Sequence, residues 1–348
     1  MKFAIIGTGM MGCEHILNLA HNCDADLIGV ADPNPRSLEW AIKACGERFS
    51  PEVCHSASEI IDLRPDAIII ASPNYTHRQL VDDFATLPIH LLIEKPMSTT
   101  LEDARAVVAI AETRTALTWI AMEYRYMPTT RLFLDNLHQV GDLKMLFIRE
   151  HRFPFLKKVD NWNRYNRFTG GTLVEKCCHF FDLMNLAVGA RPLQVMASGA
   201  QDVNHRDEGY EGEQPDIIDN AYVIVDYSNG VRACLDLCMF AEGSPNEQEL
   251  VATGSLAKLE AHIPQNRLTL ASRQDRVVTD IPVPADPRIR YEGMHHGSSY
   301  LEQLHFVEAI TSGSEPEVSS RDGYWSIAIG LAAQQAIARG QVVAVESL

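Results

Sequence analysis

The chain has 348 residues, more than one ordinary core accommodates, so two domains are expected. Thirty Lys and Arg against 46 Asp and Glu leave a net charge of −16, which argues against nucleic acid and anionic membranes as partners but not against a locally held nucleotide. No apolar run reaches transmembrane length, no signal-peptide pattern precedes the first strand, and the eight cysteines form no C-x-x-C, so a cytoplasmic protein with reduced thiols and no metal site is expected.

Residues 1 to about 121 alternate apolar runs with amphipathic ones. Strands are predicted at 3–6, 27–30, 67–70, 89–93 and 117–121, and helices near 10–21, 35–47, 75–85 and 99–113. Strand and helix alternating at this spacing mean a doubly wound parallel sheet of the Rossmann type. Gly7-Thr8-Gly9-Met10-Met11-Gly12 follows the first strand and opens a helix. Its glycines permit the tight turn, the approach of a pyrophosphate and the packing of helix on strand. Asp32 stands 20 residues after Gly12, at the end of the second strand, where a carboxylate accepts ribose hydroxyls and repels a 2′-phosphate. NAD is therefore expected over NADP. Arg36, four residues on, either softens that preference or covers the adenine.

Two further segments end strands on the ligand side of such a sheet. In Ser72-Pro73-Asn74-Tyr75-Thr76-His77, Asn74 and the backbone at Pro73 are candidates for the nicotinamide ribose. His77 is either a cofactor contact or an ordinary first-turn residue. In Glu94-Lys95-Pro96, strand alternation sends the two charged side chains to opposite faces, and Pro96 restricts Lys95. A rigidly mounted lysine there is a candidate catalytic group.

From Glu123 the pattern changes. A helix near 128–138 and a strand at 143–151 lead to a polar, aromatic, arginine-rich loop at 152–168. A helix opened by Gly170-Gly171-Thr172 follows. Strands at 192–198, 217–226, 230–240, 249–254, 257–262, 268–271 and 276–281 then run without crossover helices, which implies an antiparallel sheet. Helices at about 298–312 and 321–338 and a short strand at 342–345 close the chain. The domains are placed at 1–122 and 123–348, with the closing helix able to pack back on the first. In a continuous helix from Thr172, Glu175, His179 and Asp182 share one face. A histidine flanked by carboxylates is a candidate general base, because they orient the imidazole and stabilise its protonated form. Arg125, Trp162, Asn163, Arg167 and His296 are candidates for a wall that stacks on and hydrogen-bonds a polyhydroxylated substrate.

Together these motifs resemble the glucose–fructose oxidoreductase / inositol dehydrogenase / MocA-type (Gfo/Idh/MocA) family, over nearly the whole chain. The likeness rests on Gly7-x-Gly9-x-x-Gly12-x-x-His15, Ser72-Pro73-Asn74-x-x-His77, Glu94-Lys95-Pro96, Arg125 before Pro128, and Gly170-Gly171 with His179 and Asp182. The resemblance implies a Rossmann domain followed by an α+β domain with a large, open-faced, mostly antiparallel sheet. It also implies hydride transfer between NAD(P) and a carbinol carbon of a sugar or polyol. Lys95 and His179 would act at the hydroxyl, Glu175 would orient them, and Glu94 would join the cofactor contacts. The family commonly has aspartate where this chain has Glu175. Two other functions are consistent with the motifs: a transient-redox enzyme that cleaves or epimerises a glycoside with tightly held NAD, and a non-catalytic NAD- or sugar-binding regulator. A homodimer or homotetramer through the second sheet is expected.

Overall fold

A computed structural model describes residues 1–22 and 24–348; Cys23 lies outside the described residues. The chain forms two compact units, residues 1–126 with 287–324 and residues 127–286 with 325–348. The segment Pro287–Tyr324, far along the chain, thus belongs with the nucleotide-type half.

The first unit is built on six parallel strands, β1 (Lys2–Ile6), β2 (Asp26–Ala31), β3 (Glu52–Cys54), β4 (Ala67–Ile70), β5 (His90–Glu94) and β6 (Thr118–Ala121), in the order β3-β2-β1-β4-β5-β6. β1, β4, β5 and β6 are buried along nearly their whole length, as strands covered by helices on both faces must be. Their Ile and Leu runs therefore show no alternation. β3 was not expected: it has three residues, two of them exposed, and too little apolar pattern to announce itself. The helices begin where their caps stand. Asn34 Oδ1 accepts the N–H groups of Arg36 and Ser37 at the start of Pro35–Cys45, and Thr100 Oγ1 accepts that of Asp103 at the start of Leu101–Thr113. The strand order reverses between β1 and β4, which makes the carboxyl edge of these two strands the ligand side of the sheet. The helix Ser298–Ser312 packs on this unit through Phe306, whose ring meets Trp119 of β6 edge-on.

The second unit carries β7 (Leu143–His151), β8 (Pro192–Ala200), β9 (Asn220–Tyr227), β10 (Arg232–Cys238), β11 (Gln248–Gly254), β12 (Ala257–Ile263), β13 (Arg267–Ser272), β14 (Val278–Ile281) and β15 (Val343–Ala344). They form one sheet in the order β14-β13-β12-β11-β7-β10-β9-β8-β15, antiparallel except where β7 runs parallel to β10. Burial alternates strictly along β9, β10 and β12, so one face is core and the other is not. The helix Pro128–Asn136 lies against β12 and β13, and the helix Cys178–Val188 against β7. The uncovered face shows Met145, Met196, Tyr222 and Ile224.

The helix expected to run on from Gly170-Gly171-Thr172 is in fact two. Thr172–Glu175 ends, Lys176 and Cys177 form a kink in which the Cys177 N–H reaches back five residues to the Thr172 carbonyl, and Cys178–Val188 begins. Glu175 is therefore not on the helix that carries His179 and Asp182, and the single-face spacing argument does not apply to it. The entry to this segment needs glycine: Gly171 sits at φ 87°, and a Cβ there would lie 1.7 Å from Oε1 of Gln334.

Candidate active site

β1 ends at Ile6, and the chain turns through Gly7 (φ 90°) into the helix Met10–Ala20, with Gly9 as its N-cap. A Cβ on Gly7 would fall 2.3 Å from the Ser72 nitrogen, and one on Gly12 would fall 2.1 Å from the Gly7 carbonyl oxygen. A Cβ on Gly9 would meet nothing within 4 Å. Two glycines are thus demanded by packing, while the middle one borders open space at a helix N-terminus, where a pyrophosphate can meet bare backbone. The Asp32 carboxylate is locked beside this turn: Oδ2 accepts the Thr8 N–H and Oδ1 the Asn34 N–H, both at 2.8 Å. Each oxygen keeps a lone pair for a ribose hydroxyl. Arg36 lies over the Trp40 ring at 5.2 Å, an exposed flat surface two turns of chain from Asp32. Met10 is exposed and Met11 half-buried at the helix entry; Thr8 is buried and contributes its backbone. These residues fit NAD.

After β4, the Ser72 and Thr76 hydroxyls are 2.6 Å apart, Thr76 also bonds the Pro73 carbonyl, and Asn74 is buried. His77 is placed differently from a cofactor ligand. It is fully buried, with Nδ1 2.9 Å from the Pro96 carbonyl and Nε2 2.9 Å from the Ser72 carbonyl. It therefore ties the loop after β4 to the loop after β5 and offers a ligand no surface.

β5 delivers Glu94 and Lys95 to opposite sides, as strand alternation requires. Lys95 is half-exposed; Glu94 is buried, its Oε1 2.8 Å from His15 Nε2 and its Oε2 accepting the Lys95 N–H at 3.1 Å. Burial pushes the Glu94 carboxyl up, but the His15 hydrogen bond and the neighbouring charges of Lys95 and His295 outweigh it and hold it below its usual value. Behind it are three more carboxyls. Glu14 Oε1 meets His295 Nδ1 at 3.1 Å, and Glu123 lies 3.9 Å from His295 Nε2. Burial raises Glu123, and burial with the charges of Glu123 and Glu94 raises Glu302 well above the carboxylate range. His295, not His296, is the histidine built into this group; His296 is exposed.

The second unit holds the other candidates. His179 and Asp182 are buried in Cys178–Val188. Burial, with the Asp182 charge, pushes the Tyr227 hydroxyl up, and that hydroxyl donates to Asn185 Oδ1 at 2.8 Å. Glu175 meets Lys158 Nζ at 3.3 Å, and the same ammonium lies 4.5 Å over the Trp162 ring. Lys176 turns into the core at the kink and pairs with Glu150 of β7 at 2.9 Å. Glu150 also accepts from Gln248 at 2.8 Å and has Arg152 at 3.7 Å; burial still raises its carboxyl against these cations. Burial likewise pushes the Cys177 thiol well up, so it is not a poised nucleophile.

Several expected wall residues serve the fold instead. Arg125 is buried, donating to the Glu317 carbonyl at 2.8 Å and pairing with Asp322 at 3.4 Å. Asn163 is buried and clasps its own loop, donating to the Leu156 carbonyl at 2.9 Å. Arg167 is exposed, pairs with Glu213 and covers the Tyr165 and Phe168 rings. Sequence reasoning missed Lys158, Lys176, Glu150 and Gln303 as partners of the motif residues. Each lies tens of residues or a strand away from its partner, or in a loop without periodicity, so no local pattern pairs them.

Fold and site define an oxidoreductase with a dinucleotide-binding domain. The family model "Oxidoreductase family, NAD-binding Rossmann fold" matches residues 1–122, and "Oxidoreductase family, C-terminal alpha/beta domain" matches residues 136–345. The chain belongs to this family, the Gfo/Idh/MocA oxidoreductases. It is 23% identical to an inositol 2-dehydrogenase of Rhizobium meliloti (strain 1021), covering 99% of both chains. It is 24% identical to a myo-inositol 2-dehydrogenase of Thermotoga maritima, covering 100% of this chain and 99% of that one. Its fold matches that of a levoglucosan dehydrogenase in complex with NADH and levoglucosan at a TM-score of 0.86, with 20% identity and full coverage of both chains.

Proposed function

We propose that the protein is an NAD-dependent dehydrogenase of a sugar, a polyol such as an inositol, or a sugar derivative, acting at a CH–OH group. The observation that carries this reading is Lys95, fixed at the carboxyl edge of β5 by a buried carboxylate on the preceding residue, in a unit whose glycine turn and Asp32 fit NAD. The cofactor, bound on Gly7, Thr8, Gly9, Met10, Met11, Gly12, Asp32, Arg36 and the Ser72–Asn74 loop, supplies the hydride acceptor or donor. Asp32 favours NAD over NADP because its carboxylate repels a 2′-phosphate. Lys95 donates a hydrogen bond to the substrate oxygen and stabilises negative charge developing on it. His179 takes the hydroxyl proton in oxidation and returns it in reduction. Glu175, tied to Lys158, and Asp182 hold substrate hydroxyls or the imidazole. Trp162, with Lys158 over one face, gives a ring on which a sugar can stack. The relatives named for inositols support this substrate class.

The test is a panel of sugars, inositols and sugar acids followed by NADH formation, on the unmodified protein, Lys95→Met and His179→Ala. Both variants should bind NAD almost normally and turn over roughly 10²–10⁴-fold more slowly. Near-normal kcat in either would show that the chemistry lies elsewhere.

The uncovered face of the second sheet supports a homodimer or homotetramer. Met196, Ile224, Cys234, Phe147 and Val251 stand side by side across β8, β9, β10, β7 and β11. Such an apolar row flanked by charged ones suits a second copy of the same face. A monomer at all concentrations in analytical ultracentrifugation would dispose of it. No helix among the described residues is long and apolar enough to cross a membrane, and Cys13, Cys45, Cys54, Cys234 and Cys238 carry thiols; both support a cytoplasmic location.

A further inference from the structure

The amide of Gln303, on the helix Ser298–Ser312, donates through Nε2 to His15 Nδ1 at 2.7 Å. The same nitrogen also donates to the His15 carbonyl at 3.3 Å, a contact the amide oxygen could not make; two acceptors for Nε2 set the orientation of the amide, with Oε1 left buried and without a partner. His15 Nδ1 must then be the unprotonated nitrogen, and Nε2–H is the donor that reaches Glu94 Oε1 at 2.8 Å. A second proton on the ring would set N–H against N–H at Gln303. His15 and Gln303 are both buried, so no solvent relieves that conflict.

We propose that Gln303 is a positioning residue for the reaction: it holds His15 neutral, so that the negative charge of Glu94 is directed at Lys95 rather than neutralised by an imidazolium. The arrangement rests on Lys95 being the catalytic lysine of the proposed function. The groups facing Glu94 are His15, Lys95, His295, Glu123 and Glu302, with Glu14 behind His295. Of these, burial and the charges of Glu123 and Glu94 raise the Glu302 carboxyl well above its usual value, and burial raises Glu123 too. The cations left to Glu94 are therefore Lys95 and, when protonated, His295. The chain Glu94–His15–Gln303 does not conduct protons outward, because an amide N–H terminates it. It sets charge instead.

The test uses the full-length protein with NAD and a substrate found in the panel above. Gln303→Leu removes the opposing N–H, and Gln303→Glu supplies a carboxylate that welcomes an Nδ1 proton. Either lets His15 become an imidazolium beside Glu94. In Gln303→Leu, where the imidazolium is the one charge added, the high-pH limb of kcat/KM, set by deprotonation of Lys95, should then move down by up to roughly one pH unit, the effect of one charge on the order of 10 Å away at an effective dielectric constant near 20. In Gln303→Glu, where the new carboxylate offsets the imidazolium, it should move less. NAD affinity should stay within about threefold. In ¹⁵N-histidine spectra, with His15→Gln identifying the signal, the unmodified protein should show a neutral Nε2–H ring at pH 6, and Gln303→Glu a charged one. A charged or Nδ1–H ring in the unmodified protein overturns the proposal without recourse to any Gln303 variant. So does an unchanged pH profile in folded Gln303→Leu, even with a lowered melting temperature, since that is what a merely structural glutamine would give. If Lys95→Met is slow while the Gln303 variants keep the normal profile, this proposal alone fails. If Lys95→Met is as fast as the unmodified enzyme, the catalytic reading fails and this one with it.

Discussion

Replacing Lys176 by Met should make the protein unstable in a way that acid repairs. Lys176 Nζ lies 2.9 Å from Glu150, whose side chain is completely buried. Methionine keeps most of the volume but leaves the carboxylate with Gln248 at 2.8 Å and Arg152 at 3.7 Å. Removing one partner of a buried pair typically costs about 3–5 kcal/mol. Glu150 can limit this by taking a proton, which costs about 1.4 kcal/mol for each pH unit above an unfolded-state value near 4.3. The limit is therefore about 3.7 kcal/mol at pH 7 and about 1 kcal/mol at pH 5. Burial already raises the Glu150 carboxyl in the folded protein. A raised folded-state value means stability that is fully present below the unfolded-state value and is lost as pH climbs through the folded one. Losing Lys176 raises it further and widens that window upward. Thermal melts followed by circular dichroism should show Tm lowered by up to roughly 7–15 °C at pH 7 and by only a few degrees at pH 5. Adding Glu150→Gln to Lys176→Met should recover most of the loss at pH 7. An equal loss at both pH values, or no recovery in the double variant, would refute the argument that an unpaired buried carboxylate is the cause.

Asp32→Ser should weaken NAD about 10-fold or more through loss of charged hydrogen bonds, while NADP loses little, and side-by-side titrations measure the ratio. If the unmodified protein already prefers NADP, Asp32 does not face the ribose. Gly12→Ala should reduce NAD binding and stability together, because its methyl would sit 2.1 Å from the Gly7 carbonyl oxygen, whereas Gly9→Ala, which has room, should fold normally and show its effect in NAD binding. Calorimetric titration and melting separate the two outcomes. Lys158→Met should raise KM for the substrate and also lower stability, since its partner Glu175 is buried and loses its cation; an unchanged KM would remove Lys158 from the site.

Sequence alone determined those features that are encoded by residues close together in the chain. The apolar runs of β1, β4, β5 and β6, the glycines of 7–12, Asp32 at the end of β2 and the Lys95-Pro96 step all express local rules of strand burial, turn conformation and strand alternation. The two family-model matches agree with that reading of fold and cofactor. What tertiary structure decided concerns partners distant in sequence. The kink at Lys176–Cys177 removes Glu175 from the helix face that spacing gave it, because Lys176 finds Glu150 in the core. Arg125 and Asn163 have side chains that suit a substrate, but burial and backbone acceptors claim them for the fold. The segment Pro287–Tyr324 returns to the first unit and brings Gln303 to His15, 288 residues away. A hydrogen bond between side chains carries no periodicity, so only the folded chain reveals which donor settles the charge beside Lys95.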